Sequence, residues 1–269
     1  MSGIVIRPLR PGDLPAVKRI WSASFGDSEE LVESLLLRHG VLDSSLGVEL
    51  DGQVCAQFSL LEGLKYKDAA VTYLYALCTA PECRSLGCGS ALVKSAVNRA
   101  FERGADMVCL SPASQTLAEW YRRFGFMSTS SQAPVPIVPA DAGLRLIPVT
   151  AEEYLTERRF ESVVPSMQIL NIQQHFFSVS GGGFFRSASG GKPWYISAER
   201  EGKALFVRDH SCGEALLSGA AYELLRLFDA EEVFRFLPDA DGRPGLMVRC
   251  RTGFVLPADG VPKLPFTLA

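Results

Sequence analysis

Residues 79–90 read Thr-Ala-Pro-Glu-Cys-Arg-Ser-Leu-Gly-Cys-Gly-Ser, and they sit where two kinds of pattern meet. The stretch before them, VTYLYALCT, is apolar on both faces, as a buried strand is. The stretch after them spaces Leu92, Val93, Ala96, Val97 and Ala100 on one helical stripe, with Gly104 as the stop. A helix from about Gly87 to Arg103 therefore begins inside a glycine-rich corner. Gly87 and Gly89 lack Cβ atoms, so the backbone turns tightly and lets an anion approach. The unpaired N–H groups and positive dipole end of the helix point at that anion. After Glu82 no acidic residue appears until Glu102, although a helix's first turn favours Asp or Glu, and Arg84 supplies positive charge instead. The corner reads as a phosphate cradle. It is neither the G-x-G-x-x-G of a dinucleotide fold nor a Walker loop. A helix start merely softened by glycine is the competing reading.

Upstream, IVIRPLR alternates as a strand, and PGD opens a helix through Leu14, Val17, Ile20 and Trp21. A second helix runs from Ser28 to His39 and stops at Gly40. SLGVELDGQVCAQFSLLEG reads as two strands joined at Asp51-Gly52, a dipeptide that tolerates the positive φ of a tight hairpin. Downstream, DMVCLSP is a buried strand, SQTLAEWYRRFGF a short helix ending at Gly125, and Phe126 starts another strand.

Together these segments resemble the GNAT superfamily of N-acetyltransferases. Thr79, Pro81, Arg84, Gly87 and Gly89 match its V-x-P-x-x-R-x-x-G-x-G stretch, with Thr79 in place of the usual Val. Ala118, Tyr121, Gly125 and Phe126 match part of its A-x-x-x-Y-x-x-x-G-F pattern, here with the tyrosine three positions after the alanine. The resemblance covers roughly the first half of the chain. It implies an α/β (α+β) GNAT fold, a mixed and mostly antiparallel sheet flanked by helices. It also implies acetyl-CoA as cosubstrate, its pyrophosphate on the backbone amides of Ser85, Leu86, Gly87, Cys88, Gly89 and Ser90 beside Arg84. The strand end at Leu77, Cys78 and Thr79 would splay from its neighbour and bond the pantetheine arm. In such enzymes a primary amine attacks the thioester directly.

That attack needs an amine that has lost a proton and a thiolate that gains one. Tyr121 suits the second task, because a phenol stays protonated at neutral pH; the alternative is a core tyrosine on a helix face. Many family members carry a glutamate six positions before the residue matched by Thr79, where this chain has Tyr73. A water held by Tyr73 or Tyr75, the carboxylate of Glu62, or the C-terminal carboxylate would have to serve as base. The alternative to catalysis is a non-catalytic acyl-CoA sensor or interaction module, or a scaffold with no ligand.

Beyond residue 132 the order of elements recurs: strand GLRLIPVT, helices AEEYLTERRFES and SMQILNIQQHFFS, strands FFRSA, WYISAERE and ALFVRDHS, helix GEALLSGAAYELLRLFDA and strand EEVFRFLP. Two tandem copies are expected: residues 1–132 as the acetyl-CoA-binding catalytic domain and residues 140–269 as a degenerate GNAT-like domain. They would be joined by the Ser-, Pro- and Ala-rich STSSQAPVPIVPADAG, read as a stiff linker. In the second copy the corner reads His210-Ser-Cys-Gly213-Glu214, with one glycine and an acid that repels a pyrophosphate. That copy would close the acceptor site. The uncharged helix around Met167 to Phe177 is expected to wedge between the domains or line the acceptor pocket.

The 269 residues carry 27 basic and 30 acidic side chains, split 13 against 14 before residue 133. Balanced charge argues against a nucleic-acid partner. The longest uncharged stretch, Val163 to Phe185, is interrupted by Ser166, Gln168, Asn171, Gln173, Gln174 and His175, so no membrane span is expected. An odd number of cysteines, 7, and an N-terminus without an apolar signal core point to a reduced, cytoplasmic protein. Cys78, Cys83 and Cys88 recur every five residues but lack C-x2-C spacing, so no metal is expected. Cys83 or Cys88 could accept an acyl group, though a buried small hydrophobe is the competing role. The acceptor is expected to be a small-molecule amine or a protein N-terminus.

Overall fold

The computed structural model describes residues 3–160, 163–188, 192–256 and 262–266. Its chain divides into two compact units, residues 1–128 with 246–261 and 269, and residues 129–245 with 262–268. The first stretch holds β1 (Val5–Pro8), α1 (Leu14–Phe25), α2 (Glu29–Arg38), β2 (Ser45–Leu50), β3 (Gln53–Tyr66) and β4 (Ala69–Thr79), then α3 (Cys88–Glu102), β5 (Met107–Leu110), α4 (Gln115–Arg122) and β6 (Met127–Ser128). There follow β7 (Ser131–Pro136), β8 (Leu146–Val149), α5 (Ala151–Glu157), α6 (Met167–Ser180), β9 (Gly182–Ser187), β10 (Tyr195–Glu201), β11 (Ala204–His210), α7 (Glu214–Phe228), β12 (Glu232–Pro238), β13 (Arg243–Pro244) and β14 (Met247–Cys250).

Local chemistry explains where these elements start and stop. Ser28, Ser114, Thr150 and Ser166 each accept a backbone N–H at a helix start, and Thr150 forms a reciprocal box with Glu153. Asp51 and Gly52 both take positive φ, 53° and 79°, which is what the tight β2–β3 turn needs. Trp21, Phe58, Leu60, Leu61, Leu92 and Met107 are fully buried in the first unit. Each such side chain contributes on the order of 1.5–3 kcal/mol by leaving water.

The two sheets run β1-β2-β3-β4-β5-β14-β6 and β13-β7-β12-β11-β10-β9-β8. In the first, β1 to β4 are antiparallel neighbours, β4–β5 is parallel and β5–β14 antiparallel. In the second, β8 to β11 are antiparallel, β11–β12 is parallel and β12–β7 antiparallel. With two helices after the first strand and one in the parallel crossover, the two units repeat one topology.

The structure corrects several of these expectations. The segment read as a stiff linker contains β7: Pro134 and Pro136 lie opposite Phe236 and Phe234, and their spacing of two turns both missing N–H groups to the same side of the strand, leaving the other residues to pair with β12. The stretch 140–269 is not one unit, because β14 pairs with β5 and β6 in the first sheet while β7 completes the second. The helix expected over AEEYLTERRFES ends at Glu157. The helix expected between domains, α6, packs on β9, β10 and α5 inside the second unit. No helix among the described residues is long and apolar enough to cross a membrane.

Candidate active site

The parallel pairing of β4 with β5 runs only from Val71↔Met107 to Tyr73↔Cys109. β4 continues to Thr79, so Leu77, Cys78 and Thr79 extend past that ladder and their backbone on that side is left open. A bulge sets the direction of this strand end. Between Tyr75↔Ser59 and Cys78↔Gln57, two β4 residues face one β3 residue, and Ala76 takes the left-handed φ of 50°. Such a backbone costs a non-glycine residue about 1–2 kcal/mol. Gln57 holds it: fully buried, its Nε2 donates to the Ala76 carbonyl at 2.6 Å and to Cys78 Sγ at 3.3 Å.

From Thr79 the chain folds into a single tight turn at Pro81–Cys83, and then Ser85 and Gly87 take φ of 66° and 84°. Gly87 is the N-cap of α3, and no side chain caps that helix. The N–H groups of the first turn therefore open toward the corner where β4 leaves β5. Thr79 Oγ1 and the Trp120 ring close on Gly89, where a Cβ would lie at ordinary contact distance, 3.6 Å from each; a Cβ at Gly87 would meet nothing within 4 Å. Arg84, Ser85 and Leu86 are exposed, and α3 has no acid in its first turn. The electrostatics of the corner favour an anion.

Tyr121, on α4, is 7% exposed, with ring contacts to Trp120 at 4.9 Å and Phe126 at 5.8 Å. Burial pushes its hydroxyl pKa up, so it is a proton donor across the ordinary pH range. Tyr73 lies close enough to feel it; burial, then the neighbouring Cys109 and Tyr121, push Tyr73 up as well, while the Ser111 N–H bonds its hydroxyl. Neither phenol can serve as a base. Tyr75 stacks edge-on against Trp21 at 5.4 Å and lies 6.4 Å from the Tyr73 ring, and its buried hydroxyl has no partner among the described residues.

At the far end of this aromatic row is a carboxylate that the sequence reading passed over. Asp27 follows Gly26, the left-handed residue that ends α1, and its Oδ2 accepts the Trp21 indole N–H at 2.8 Å. Burial raises its pKa; burial also pushes Tyr75 up, and the Asp27 charge adds to that. An acid just past a helix-ending glycine was visible in the sequence, but its burial beside Tyr75 depends on a strand nearly fifty residues away.

Glu62, expected as a possible base, is elsewhere. It is half-exposed and ion-paired to Arg103 at 2.8 Å, at the C-terminal end of α3, about 22 Å along the helix from the cradle at 1.5 Å per residue. The C-terminal carboxylate lies outside the described residues. The cysteines regroup as well: Cys78 turns to Ser24 and Gln57, while Cys88 contacts Cys55. Among the described residues no group of three or more His, Cys, Asp and Glu side chains could hold a metal ion.

Comparison with known proteins agrees with this geometry. Residues 5–128 match the model of an acetyltransferase (GNAT) domain. They form a GNAT domain. The acyl donor of that family is acetyl-CoA. No curated protein matches the chain. Among solved structures, a GCN5-related N-acetyltransferase from Anabaena variabilis is 19% identical with a TM-score of 0.69, over 92% of this chain and 73% of that one. A GCN5-related N-acetyltransferase from Kribbella flavida is 15% identical with a TM-score of 0.65, over 93% and 71%. Eis1 from Mycobacterium abscessus is 17% identical with a TM-score of 0.63, over 92% and 73%. At these identities the likeness is one of fold, and it extends beyond the GNAT domain into the second unit.

Proposed function

We propose that the GNAT domain transfers the acetyl group of acetyl-CoA to a primary amine, by direct attack and without a covalent enzyme intermediate. The observation that carries this reading is the uncapped start of α3, which has no acid in its first turn and whose N–H groups meet the open end of β4. In this reading the amides of Ser85 to Ser90 hold the pyrophosphate beside Arg84, and the backbone of Leu77, Cys78 and Thr79 takes the pantetheine arm. When bound, acetyl-CoA supplies an activated thioester. Asp27 receives the proton of the acceptor ammonium; a carboxyl raised by burial is a better base near neutral pH than an ordinary one. Tyr121 donates to the departing sulfur. The acceptor is a small-molecule amine or a protein N-terminus, bound on the side of β4 that carries Tyr73 and Tyr75.

The second unit, in this proposal, is a degenerate copy that binds no CoA. Its corner has three residues between β11 and α7, against eight between β4 and α3. Gly213 has the ordinary φ of −68°, and Glu214, ion-paired to Arg235, occupies the first helical position. We also place the protein in the cytoplasm, since all seven cysteines are free thiols.

Steady-state release of CoA thiol with a panel of primary amines tests the reading. Turnover that falls strongly in Tyr121→Phe supports it. Tight acetyl-CoA binding with no turnover on any amine supports the second reading, an acyl-CoA sensor, which Tyr73 in place of a family glutamate favours.

A further inference from the structure

We propose that Cys55, Cys83 and Cys88 form a reversible disulfide site beneath the phosphate cradle, through which oxidation switches off acetyl-CoA binding. The three thiols come from three separate elements. Cys55 is on β3, Cys83 ends the turn after β4, and Cys88 is the first residue of α3. Cys55 Sγ lies 3.8 Å from Cys88 Sγ, and the Cys83 thiol is within side-chain interaction range of Cys55. Cys55 is thus the shared partner. Cys83 is part-exposed and meets the oxidant first, while Cys55 and Cys88 are buried, 4% and 1% exposed.

The chemistry uses a hydroperoxide as oxidant. The Cys83 thiol attacks the peroxide oxygen and becomes a sulfenic acid, releasing an alcohol, or water when the oxidant is hydrogen peroxide. The Cys55 sulfur then displaces hydroxide from Cys83 sulfur; an S–S bond forms, an S–O bond breaks, and the lost thiol proton leaves with the hydroxide as water. Exchange with Cys88 moves the bridge to the Cys55–Cys88 pair. Two electrons leave the thiols and reduce the peroxide. An S–S bond is about 2.05 Å long, so the contact must shorten by close to 2 Å. β3 is held on both sides by its neighbours, so the turn or the first residue of α3 moves instead. Those segments carry the N–H groups that the proposed function assigns to the pyrophosphate, on which the second half of this inference rests. Burial keeps the Cys55 thiol protonated, so bridging is slow at neutral pH and quickens about tenfold per pH unit.

The experiment treats the full chain with hydrogen peroxide and reads two quantities. Mass spectrometry without reductant should show the loss of two hydrogens, with peptides joining Cys55 to Cys83 or Cys88. Calorimetry should show acetyl-CoA bound at least tenfold more weakly, with full recovery after dithiothreitol. Cys83→Ser should slow the bridge strongly, and Cys55→Ser should abolish it and make the affinity indifferent to peroxide; Cys212→Ser, in the second unit, should behave as the parent chain. Peroxide-treated protein in which Cys55 stays free overturns the site. A Cys55 bridge that leaves the affinity unchanged overturns the switch. If the reduced protein fails to bind acetyl-CoA, the functional reading fails, and the peptide map still decides the disulfide site.

Discussion

Replacing Gly87 separates the conformational role of the cradle from its electrostatic one. Gly87 has a φ of 84°, and a Cβ there would meet nothing within 4 Å. Any side chain is therefore accommodated in space and penalised in the backbone, by about 1–2 kcal/mol. That lowers the melting temperature by roughly 2–8 °C in Gly87→Ala, Gly87→Gln and Gly87→Glu alike. Glutamate regains about 0.3–1 kcal/mol at the positive end of α3, so its melting temperature should equal or exceed that of glutamine. Binding should order differently. A carboxylate roughly 5 Å from a pyrophosphate charge, at an effective dielectric near 20, costs about 3 kcal/mol, on the order of a hundredfold in affinity. Calorimetric titration with acetyl-CoA should therefore show Gly87→Gln close to Gly87→Ala, and Gly87→Glu weaker by about two orders of magnitude. Raising the salt should narrow the gap. Equal affinities for the Gln and Glu variants would refute the cradle.

Other perturbations probe the remaining parts. Tyr121→Phe should lower kcat by about a hundredfold, with acetyl-CoA affinity unchanged in the same calorimeter. Asp27→Asn keeps an acceptor for the Trp21 indole and should cut kcat/KM by about a hundredfold while flattening the acidic limb of the pH–rate profile. Its stability effect has a definite sign: a folded-state pKa raised above the unfolded value makes the ionised carboxyl a burden at neutral pH, present once pH rises through the folded pKa and absent below the unfolded one. Thermal melts should thus show Asp27→Asn at least as stable as the parent at neutral pH, with the difference vanishing in acid. Gln57→Leu leaves the Ala76 carbonyl without its donor and should cost about 1–3 kcal/mol in urea titrations. In the second unit, Arg158→Met removes the 3.0 Å ion pair of the part-buried Asp209, leaving the Tyr154 hydroxyl as its donor, and should cost about 1.5–3 kcal/mol.

The cradle was legible because its signals are local: two glycines, an arginine and an acid-free helix start within twelve residues. The Asp51-Gly52 hairpin and the serine and threonine caps were legible for the same reason. Features that depend on distant chain were not. Ser and Pro in residues 129–136 look like a linker until β12 is there to pair with alternate residues, and nothing in Met247–Cys250 says that its neighbour is β5. The five-residue spacing of Cys78, Cys83 and Cys88 drew attention to the wrong trio. The bulge at Ala76 turns Cys78 toward Gln57, and Cys55 arrives from the adjoining strand to take its place. Asp27 likewise gains its character only from Trp21 and Tyr75.

Amide hydrogen exchange with and without acetyl-CoA tests the central claim most directly. Slowed exchange concentrated at residues 85–90, and lost in Gly87→Glu, is the result predicted here. Protection confined to the second unit, or none in the turn before α3, would contradict it.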